Sequence, residues 1–178
     1  MNKFEKVSFA QYYIDRKKLD DSVTKKQAQE EYDAIKLPTR ATGGSAGYDF
    51  YAPYGFKLGQ AEASLDDYTN FGIDKHPYHL VTGIRWVGEP DMVLICVPRS
   101  GMGFKYNFSL YNTVGVIDSD YFKSDNEGHI AAKVCANENI EVKQGQAFMQ
   151  GIIMPFIKTD DDCTNVARNG GFGSTDKK

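Results

Sequence analysis

Cysteine is scarce in this sequence. Three of the 178 residues are cysteines, and Cys96, Cys135 and Cys163 lie far apart along the chain. An odd number of cysteines at such spacings fits neither a disulfide framework nor a Cys-x-x-Cys zinc site. The sequence therefore indicates a protein of a reducing compartment rather than a secreted domain held together by disulfides.

The chain also has neither an excess of basic residues nor a long apolar segment. Lysine and arginine number 21 against 24 aspartates and glutamates, so the formal net charge is −3. A dedicated nucleic-acid binder normally carries a basic face, which disfavours that class, although a few local arginines can bind a nucleotide. No segment approaches the roughly 20 apolar residues of a membrane span, and the first residues do not resemble a signal peptide. We expect a cytoplasmic protein that contacts neither membrane nor nucleic acid.

The length and the apolar content are typical of a single folded domain, since 41% of the residues are hydrophobic and 13% are aromatic. Residues 1–35 contain good helix formers and many charges. Ser8 with Gln11, and Thr24 with Gln27, each match a capping box. We therefore predict a helical N-terminal extension of two short helices packed on a rim of the domain. An arm that binds a partner protein is the less favoured interpretation.

From residue 36 to residue 158 the pattern changes to short runs rich in Val, Ile, Tyr and Phe, separated by Gly, Pro, Asn and Asp. About eight to ten strands are expected, among them residues 78–87, 92–97, 108–114, 128–136 and 148–157. Such a series predicts an all-β sandwich, jelly roll or closed barrel. Residues 59–77 are polar and irregular and are predicted to leave the sheet. The glycine-rich residues 159–178 are predicted to form a flexible C-terminal arm.

The segment Pro98-Arg99-Ser100-Gly101 follows an apolar strand. A guanidinium, a hydroxyl and an unshielded backbone amide together suit phosphate oxygens. The same tripeptide is also common in ordinary turns, so by itself this signal is weak.

Two carboxylates stand in similar settings. Asp118, in Gly-Val-Ile-Asp-Ser-Asp-Tyr at 115–121, could hold a water and accept its proton, and Tyr121 could offer a flat face to a sugar or base. Asp49, after Ala-Gly-Tyr at 46–48, could hold a hydrated Mg²⁺ through its waters. Each could equally be a turn or strand-edge aspartate, and Gln150 in Gly-Gln-Ala-Phe-Met-Gln could be an ordinary surface residue. The histidines and cysteines do not indicate zinc.

The C-terminal run Gly-Gly-Phe-Gly-Ser-Thr at 170–175 could close over an anionic ligand. Phe172 could stack on a base, while Arg168, Ser174 and Thr175 could meet phosphates. The Walker A spacing is absent, so the sequence does not predict a P-loop NTPase.

Taken in order, these segments resemble the five motifs of the trimeric dUTPase family. The motifs are similar to Ala-Gly-Tyr-Asp at 46–49, Pro-Arg-Ser-Gly at 98–101, the runs at 115–121 and 145–150, and the glycine-rich run at 170–175. The likeness extends over about residues 36–175. It implies a jelly-roll-like fold and a homotrimer with its sites at subunit interfaces. It also implies Mg²⁺-assisted hydrolysis of dUTP to dUMP and pyrophosphate, which keeps uracil out of DNA and supplies dUMP for dTMP synthesis.

The resemblance also implies roles for particular residues. Asp118 would activate the water that attacks the α-phosphate, with Gln150 close by, and Asp49 would hold Mg²⁺ through water. Tyr121 would lie under the deoxyribose and exclude a 2′-hydroxyl, and Asn112 would bind uracil in a hairpin between the second and third motifs. The remaining substrate-binding residues would be Arg99, Ser100, Gly101, Gly115, Val116, Ile117, Arg168, Phe172, Gly173, Ser174 and Thr175.

The chain departs from the family pattern in three places. Residues 122–128 replace a shorter turn after Tyr121. The usual Gly-Asp-Arg of the fourth motif is Gly145-Gln146-Ala147, and Arg168 stands one residue closer to Phe172 than is usual.

Two alternatives remain. The first is a dCTP deaminase, which has the same fold. The dCTP deaminases resemble this chain less, because they typically lack the Ile-Asp-x-x-Tyr run. A dUTPase with an added regulatory role could bind a protein through the N-terminal helices or residues 59–77.

Overall fold

The three-dimensional structure is a computed structural model that describes residues 1–59, 77–164, 168 and 170. The strands are β1 (Lys3–Lys6), β2 (Thr39–Arg40), β3 (Gly47–Tyr51), β4 (Phe56–Leu58), β5 (Tyr78–Val81), β6 (Ile84–Val87), β7 (Met92–Pro98), β8 (Ser109–Leu110), β9 (Gly115–Asp118), β10 (Ala131–Cys135), β11 (Ile140–Val142) and β12 (Ala147–Pro155). The helices are α1 (Phe9–Leu19), α2 (Lys25–Asp33) and α3 (Ser100–Tyr106), with a 3-10 turn at Tyr121–Lys123. In the part of the chain that the structure describes, no helix is long and apolar enough for a membrane span.

The largest sheet has five strands in the order β2-β3-β12-β7-β9, and every neighbouring pair is antiparallel. Three smaller antiparallel sheets have the orders β5-β10-β8, β11-β4 and β1-β6. Strands dominate, and the helices are few and short. The predicted all-β class with short N-terminal helices is therefore confirmed.

Three apolar runs contain shorter strands than predicted, and one of them, residues 128–136, forms a strand only over Ala131–Cys135. Residues 78–87 form β5 and β6, which are separated at Gly83, where φ is +72°. β5 pairs with β10 whereas β6 pairs with β1, so the chain changes sheets at a residue that tolerates positive φ. Residues 108–114 contain only the two-residue β8, because a turn begins at Tyr111.

The five-stranded sheet has one face in the core and one face outside it. Leu94 and Cys96 of β7 are buried together with Phe50 of β3. Alternation along β7 places Val93, Ile95 and Val97 on the opposite face. We call that opposite side the outer face. It is apolar over much of its area, and the side chains of Val116 (59% exposed), Met154 (46% exposed), Ile95 and Ile152 lie on it.

The N-terminal segment is part of the same core. Val7, Tyr12 and Ala28 are fully buried, and β1, a strand that the sequence did not predict, pairs with β6. Thr24 and Gln27 form the complete predicted capping box of α2. Ser8 caps α1 by accepting from the Gln11 amide, but the Gln11 side chain donates to Asp15 instead of completing the box.

The predicted excursion at 59–77 lies outside the described residues, apart from its two end positions. The boundaries predicted at residues 36 and 159 stay predictions.

Candidate active site

Three predicted site residues meet on neighbouring strands of the largest sheet. Gln150 of β12 lies opposite Asp49 of β3. Arg99, which follows β7, donates from Nε to Asp49 Oδ1 at 3.0 Å. The Gln150 side chain donates from Nε2 to the carbonyl oxygen of Pro98, the residue before Arg99, at 3.4 Å. We refer to Asp49, Arg99 and Gln150 as the β3–β12 cluster.

A bulge in β12 brings Gln150 to the outer face. Ala147, Phe148 and Met149 are all buried, which a regularly alternating strand does not allow. The register against β3 shifts between Ala147 and Met149, so the extra residue is taken up there. Regular alternation then resumes, and the Gln150 side chain points away from the core.

Gly47 leaves the space that the Gln150 side chain occupies. A Cβ atom at residue 47 would lie 2.3 Å from Gln150 Oε1 and 3.1 Å from its Cδ. Any larger residue would therefore displace the Gln150 amide. Sequence reasoning missed this role, although Gly47 stands two residues before Asp49 and so faces the same side of the sheet.

Ser100 and Gly101 begin a helix rather than end a strand. β7 ends at Pro98, Arg99 is the N-cap residue with ψ 139°, and α3 follows. Ser100 and Gly101 are both exposed, and a Cβ atom at residue 101 would meet nothing within 4 Å. The predicted phosphate-binding turn is therefore an open helix start beside the β3–β12 cluster.

Asn112 lies in the turn between β8 and β9, where its Nδ2 donates to the carbonyl oxygen of Val114 at 3.1 Å. The sequence predicted a hairpin here, and this detail is wrong. β8 pairs with β10 and β9 pairs with β7, because the chain passes from one sheet to another at the turn.

The residues of β9 alternate between the two faces. Ile117 packs against the core, whereas Val116 is exposed on the outer face. Gly115 lies close to β7, and a Cβ atom there would be 3.1 Å from Cys96 Cβ. Asp118 ends the strand opposite Val93, with 54% of its side chain exposed.

Arg168 contacts two carboxylates of its own chain. Its Nη2 donates to Asp118 Oδ2, and its Nε donates to Asp120 Oδ1 at 2.8 Å. The guanidinium carbon is 5.7 Å from the centroid of the Tyr121 ring. We call these four residues the β9 cluster. Asp120 was not among the predicted site residues. It lies in the third motif, between Asp118 and Tyr121, and that position could have indicated it.

Tyr121 is almost fully buried, with 6% of its surface exposed. Its hydroxyl donates to the carbonyl oxygen of His129 at 3.2 Å and accepts from Asn126 Nδ2 at 2.9 Å. Burial raises the pKa of the Tyr121 phenol, so the hydroxyl remains protonated. The ring is thus held in one place, beside Arg168 and close in sequence to Asp118.

Asp118 of the β9 cluster lies on the same outer face as the β3–β12 cluster, but the two clusters do not meet. Asp118 lies opposite Val93, and Gln150 lies opposite Val97. Those two valines are four residues apart, which is about 13 Å along β7. One water cannot contact both Asp118 and Gln150 of the same chain. Of the remaining predicted residues, Phe172, Gly173, Ser174 and Thr175 lie outside the described residues.

The carboxylates that the structure describes do not form a metal site by themselves. In residues 1–59, 77–164, 168 and 170, no group of three or more His, Cys, Asp or Glu side chains is arranged to hold a metal ion. Asp49 is a single carboxylate beside Arg99. That donor set fits Mg²⁺ only if water and substrate phosphates supply the other ligands, which is a common mode for this ion.

Comparisons with known proteins agree on one family. The dUTPase family model matches residues 33–176. The deoxyuridine 5′-triphosphate nucleotidohydrolase of Lactococcus lactis subsp. lactis is 34% identical over 146 residues, covering 79% of this chain and 88% of that protein. The enzyme of the same name from Haemophilus influenzae is 28% identical over 172 residues, covering 91% and 99%.

Solved structures share the fold. A crystal structure of dUTPase from Streptococcus mutans gives a TM-score of 0.57 at 25% identity, covering 88% of this chain and 98% of that chain. A mutant dUTPase from phage phi11 of Staphylococcus aureus gives 0.60 at 12% identity, covering 93% and 97%. That phage structure details the coordination of a structural Mg(II) ion. The jelly-roll-like fold predicted from the motifs is thereby confirmed.

Proposed function

The chain belongs to the dUTPase family, whose reaction converts dUTP to dUMP and pyrophosphate, and we propose that a water activated by Asp118 attacks the α-phosphorus. This reaction keeps uracil out of DNA and supplies dUMP for dTMP synthesis. The main support for this mechanism is that the proposed base and the β3–β12 cluster lie on the same outer face of the largest sheet. Asp118 projects from one end of that face, and the β3–β12 cluster projects from the other.

Asp118 would be the general base. Its half-exposed carboxylate can accept a proton from a water on the outer face. In the free chain that carboxylate is bound to Arg168. When a triphosphate arrives, the Arg168 guanidinium would transfer to the phosphate oxygens, which attract it more strongly because they carry more charge. Asp118 would then be released to hold the attacking water.

The β3–β12 cluster would receive the phosphates. The Arg99 guanidinium offers N–H donors besides the Nε that already holds Asp49. The Ser100 hydroxyl and the Gly101 amide lie at the exposed start of α3. Gln150 can donate to an α-phosphate oxygen, because its present hydrogen bond to Pro98 is long at 3.4 Å.

Asp49 would orient Mg²⁺ through water, while the phosphates supply the ion's direct ligands. When bound, the ion would neutralise charge that develops on the leaving pyrophosphate. Arg99 holds the Asp49 carboxylate in place by the 3.0 Å ion pair. The chain's own contribution is thus to position a carboxylate for a metal that arrives with the nucleotide.

The turn between β8 and β9 would read the base. Uracil offers two acceptor oxygens and one N–H donor, which Asn112 and nearby backbone groups can satisfy. Cytosine presents the wrong donor pattern, and buried groups left unpaired discriminate strongly. The Tyr121 ring would lie under the deoxyribose and, in that position, would exclude a 2′-hydroxyl. Phe172 and residues 173–175 would close over the bound nucleotide.

The active unit would be a homotrimer with each site at a subunit interface. Within one chain the two clusters are about 13 Å apart along β7. The surface between them carries half-buried Ile95 and Ile152 and exposed Val116. An apolar sheet face of this kind is suited to burial against another subunit. A second copy seated there would bring its Asp118 to the first copy's β3–β12 cluster.

We also propose a cytoplasmic location. Cys96 and Cys135 are buried free thiols, which is the form that a reducing compartment maintains.

The test is turnover of dUTP, dCTP, dTTP and UTP by the purified protein, each with Mg²⁺ and with EDTA. We expect dUTP to be hydrolysed to dUMP and pyrophosphate far faster than the other three nucleotides, and the activity to be lost in EDTA. Ammonia released from dCTP would instead indicate the deaminase reaction of the same fold. No turnover of any of the four would contradict both assignments.

A further inference from the structure

We propose that helix α1 determines substrate specificity, because Ser8 and Asp15 hold residues 121–129 and thereby position the Tyr121 ring against the sugar. This inference rests on the sugar-sensing role proposed for Tyr121. It assigns a positioning role to the N-terminal segment, which precedes the residues that match the family model. We call residues 121–129 the Tyr121 segment.

The first anchor is the carboxylate of Glu127. Ser8 donates to it twice, from its backbone amide to Oε2 at 2.7 Å and from its hydroxyl to Oε1 at 2.6 Å. Burial opposes ionisation of Glu127, yet these hydrogen bonds keep its pKa below the ordinary value. Because Ser8 is also the N-cap of α1, the start of the helix is tied to the Tyr121 segment.

The backbone at this anchor adopts an unusual conformation. Glu127 has φ +58° and Gly128 has φ +70°. A Cβ atom at residue 128 would lie 2.4 Å from Phe122 Cα, so the segment closes tightly on itself. A non-glycine residue at positive φ is unfavourable unless its surroundings compensate. The two hydrogen bonds from Ser8 provide that compensation at Glu127.

The second anchor is the buried side chain of His129, which is 1% exposed. The amide of Gly83 donates to its Nε2 at 2.8 Å, so Nε2 is an acceptor and the ring proton is on Nδ1. Nδ1 lies 2.8 Å from Asp15 Oδ2 and donates to it. Asp15 is in the middle of α1, and its carboxylate therefore fixes the orientation of the imidazole.

The residues at both anchors are next to the groups that form hydrogen bonds with the Tyr121 hydroxyl. That hydroxyl donates to the backbone carbonyl of His129 and accepts from the side chain of Asn126. The Asn126 amide oxygen in turn accepts from the Gly128 backbone at 3.2 Å. The two groups that hold the phenol thus stand on either side of Glu127, in the segment that α1 holds in place.

These contacts imply that the position of the Tyr121 ring depends on α1, whereas the position of Asp118 does not. Asp118 belongs to β9 and is held by the strand register with β7, which does not involve α1. Loosening the contact between α1 and the Tyr121 segment should therefore move the ring under the sugar while the general base stays in position. Discrimination against a 2′-hydroxyl should fall, and turnover of saturating dUTP should not.

The experiment compares kcat and KM for dUTP and UTP in full-length variants. For Asp15→Ala we expect the dUTP-to-UTP ratio of kcat/KM to fall about tenfold, since small displacements of a positioning group are costly. The kcat for dUTP should stay within about twofold of wild type. Asp15→Asn, which keeps an acceptor for the Nδ1 proton, should restore most of the ratio. The matched control is Asp33→Ala, which removes an exposed carboxylate of α2 that accepts from Gln29.

Glu127→Gln provides a second route if Asp15→Ala does not fold, since it weakens the Ser8 anchor without emptying a buried space. It should lower the same ratio. An unchanged ratio in every folded Asp15 and Glu127 variant would overturn the proposal. The Tyr121→Ala variant distinguishes failure of this proposal from failure of the proposed function. If Tyr121→Ala lowers the ratio and the anchor variants do not, only the role of α1 fails. If wild type does not hydrolyse dUTP, the proposed function itself fails.

Discussion

Asp118 and Gln150 project from the same face of one sheet, yet they stand at opposite ends of β7. Asp118 lies opposite Val93, and Gln150 lies opposite Val97. Both positions follow from the antiparallel register of β7 with its two neighbours, so neither side chain can approach the other without breaking strand pairs. A site that needs both residues must therefore draw them from two chains.

This separation predicts complementation between inactive variants. Asp118→Asn loses the proposed base, and Arg99→Ala loses the phosphate contact, so each homotrimer alone should be inactive. Random assembly of equal amounts makes three-quarters of the trimers mixed, and one site in each mixed trimer combines an intact Asp118 with an intact Arg99. About a quarter of wild-type activity should return.

The measurement uses co-expressed subunits with two different tags, after light scattering has shown that each parent is trimeric. Mixing the separately purified trimers without subunit exchange is the control and should remain inactive. If co-expressed mixed trimers are as inactive as their parents, both clusters act within one chain and the interface site is wrong.

Asp118→Asn alone tests the base. The amide can still hold a water but cannot take its proton, so turnover should fall by roughly 10²–10⁴-fold. Binding of a non-hydrolysable dUTP analogue, measured by calorimetry, should be largely kept. Asp125→Asn, a neutralised exposed carboxylate a few residues away, is the matched control. Turnover close to wild type would remove Asp118 from the mechanism.

Gly47→Ala tests the space beside Gln150. The new Cβ atom would overlap the end of a flexible side chain, so the amide should move and stability should change little. We expect kcat for dUTP to fall about tenfold, as is typical when a positioned donor is displaced. Gly44→Ala, where a Cβ atom meets nothing within 4 Å, should leave kcat unchanged.

A double-mutant cycle completes that test. In a Gln150→Ala background the added methyl group no longer has an amide to displace, so Gly47→Ala should cost little further activity. Equal losses in both backgrounds would mean that residue 47 acts independently of Gln150.

Asp15 should make stability depend on pH in the acid range. Burial alone would raise its pKa, but hydrogen bonds from His129, Gln11 and Lys18 outweigh burial and lower the pKa to about 2. A lowered folded-state pKa means that ionised Asp15 stabilises the fold above its unfolded pKa near 4, and that this contribution is lost as the pH falls toward 2.

Urea unfolding of wild type and Asp15→Asn at several pH values measures the effect. The difference in unfolding free energy should be about 2 kcal/mol and constant above about pH 5, and it should shrink steadily between pH 4 and pH 2. A difference that does not change with pH would show that the Asp15 carboxylate is not preferentially ionised in the folded state.

Local patterns in the sequence were enough to predict much of this molecule. Alternating apolar runs indicated the strands, Thr24 with Gln27 indicated a helix start, and five short motifs in order indicated the family. These signals are local because alternation, capping and turn formation depend on residues only a few positions apart. The motifs also indicated Asp118 and Gln150 as site residues.

Only the tertiary structure decided which distant residues meet. Residues 78–87 read as one strand, but Gly83 divides them because the two halves pair with different sheets. Asp15 reaches His129 and Ser8 reaches Glu127 across more than a hundred residues, and no local pattern encodes such contacts. The separation of Asp118 from Gln150 likewise depends on strand register, which the packing of the whole core selects by burying one face of the sheet and leaving the other for the site.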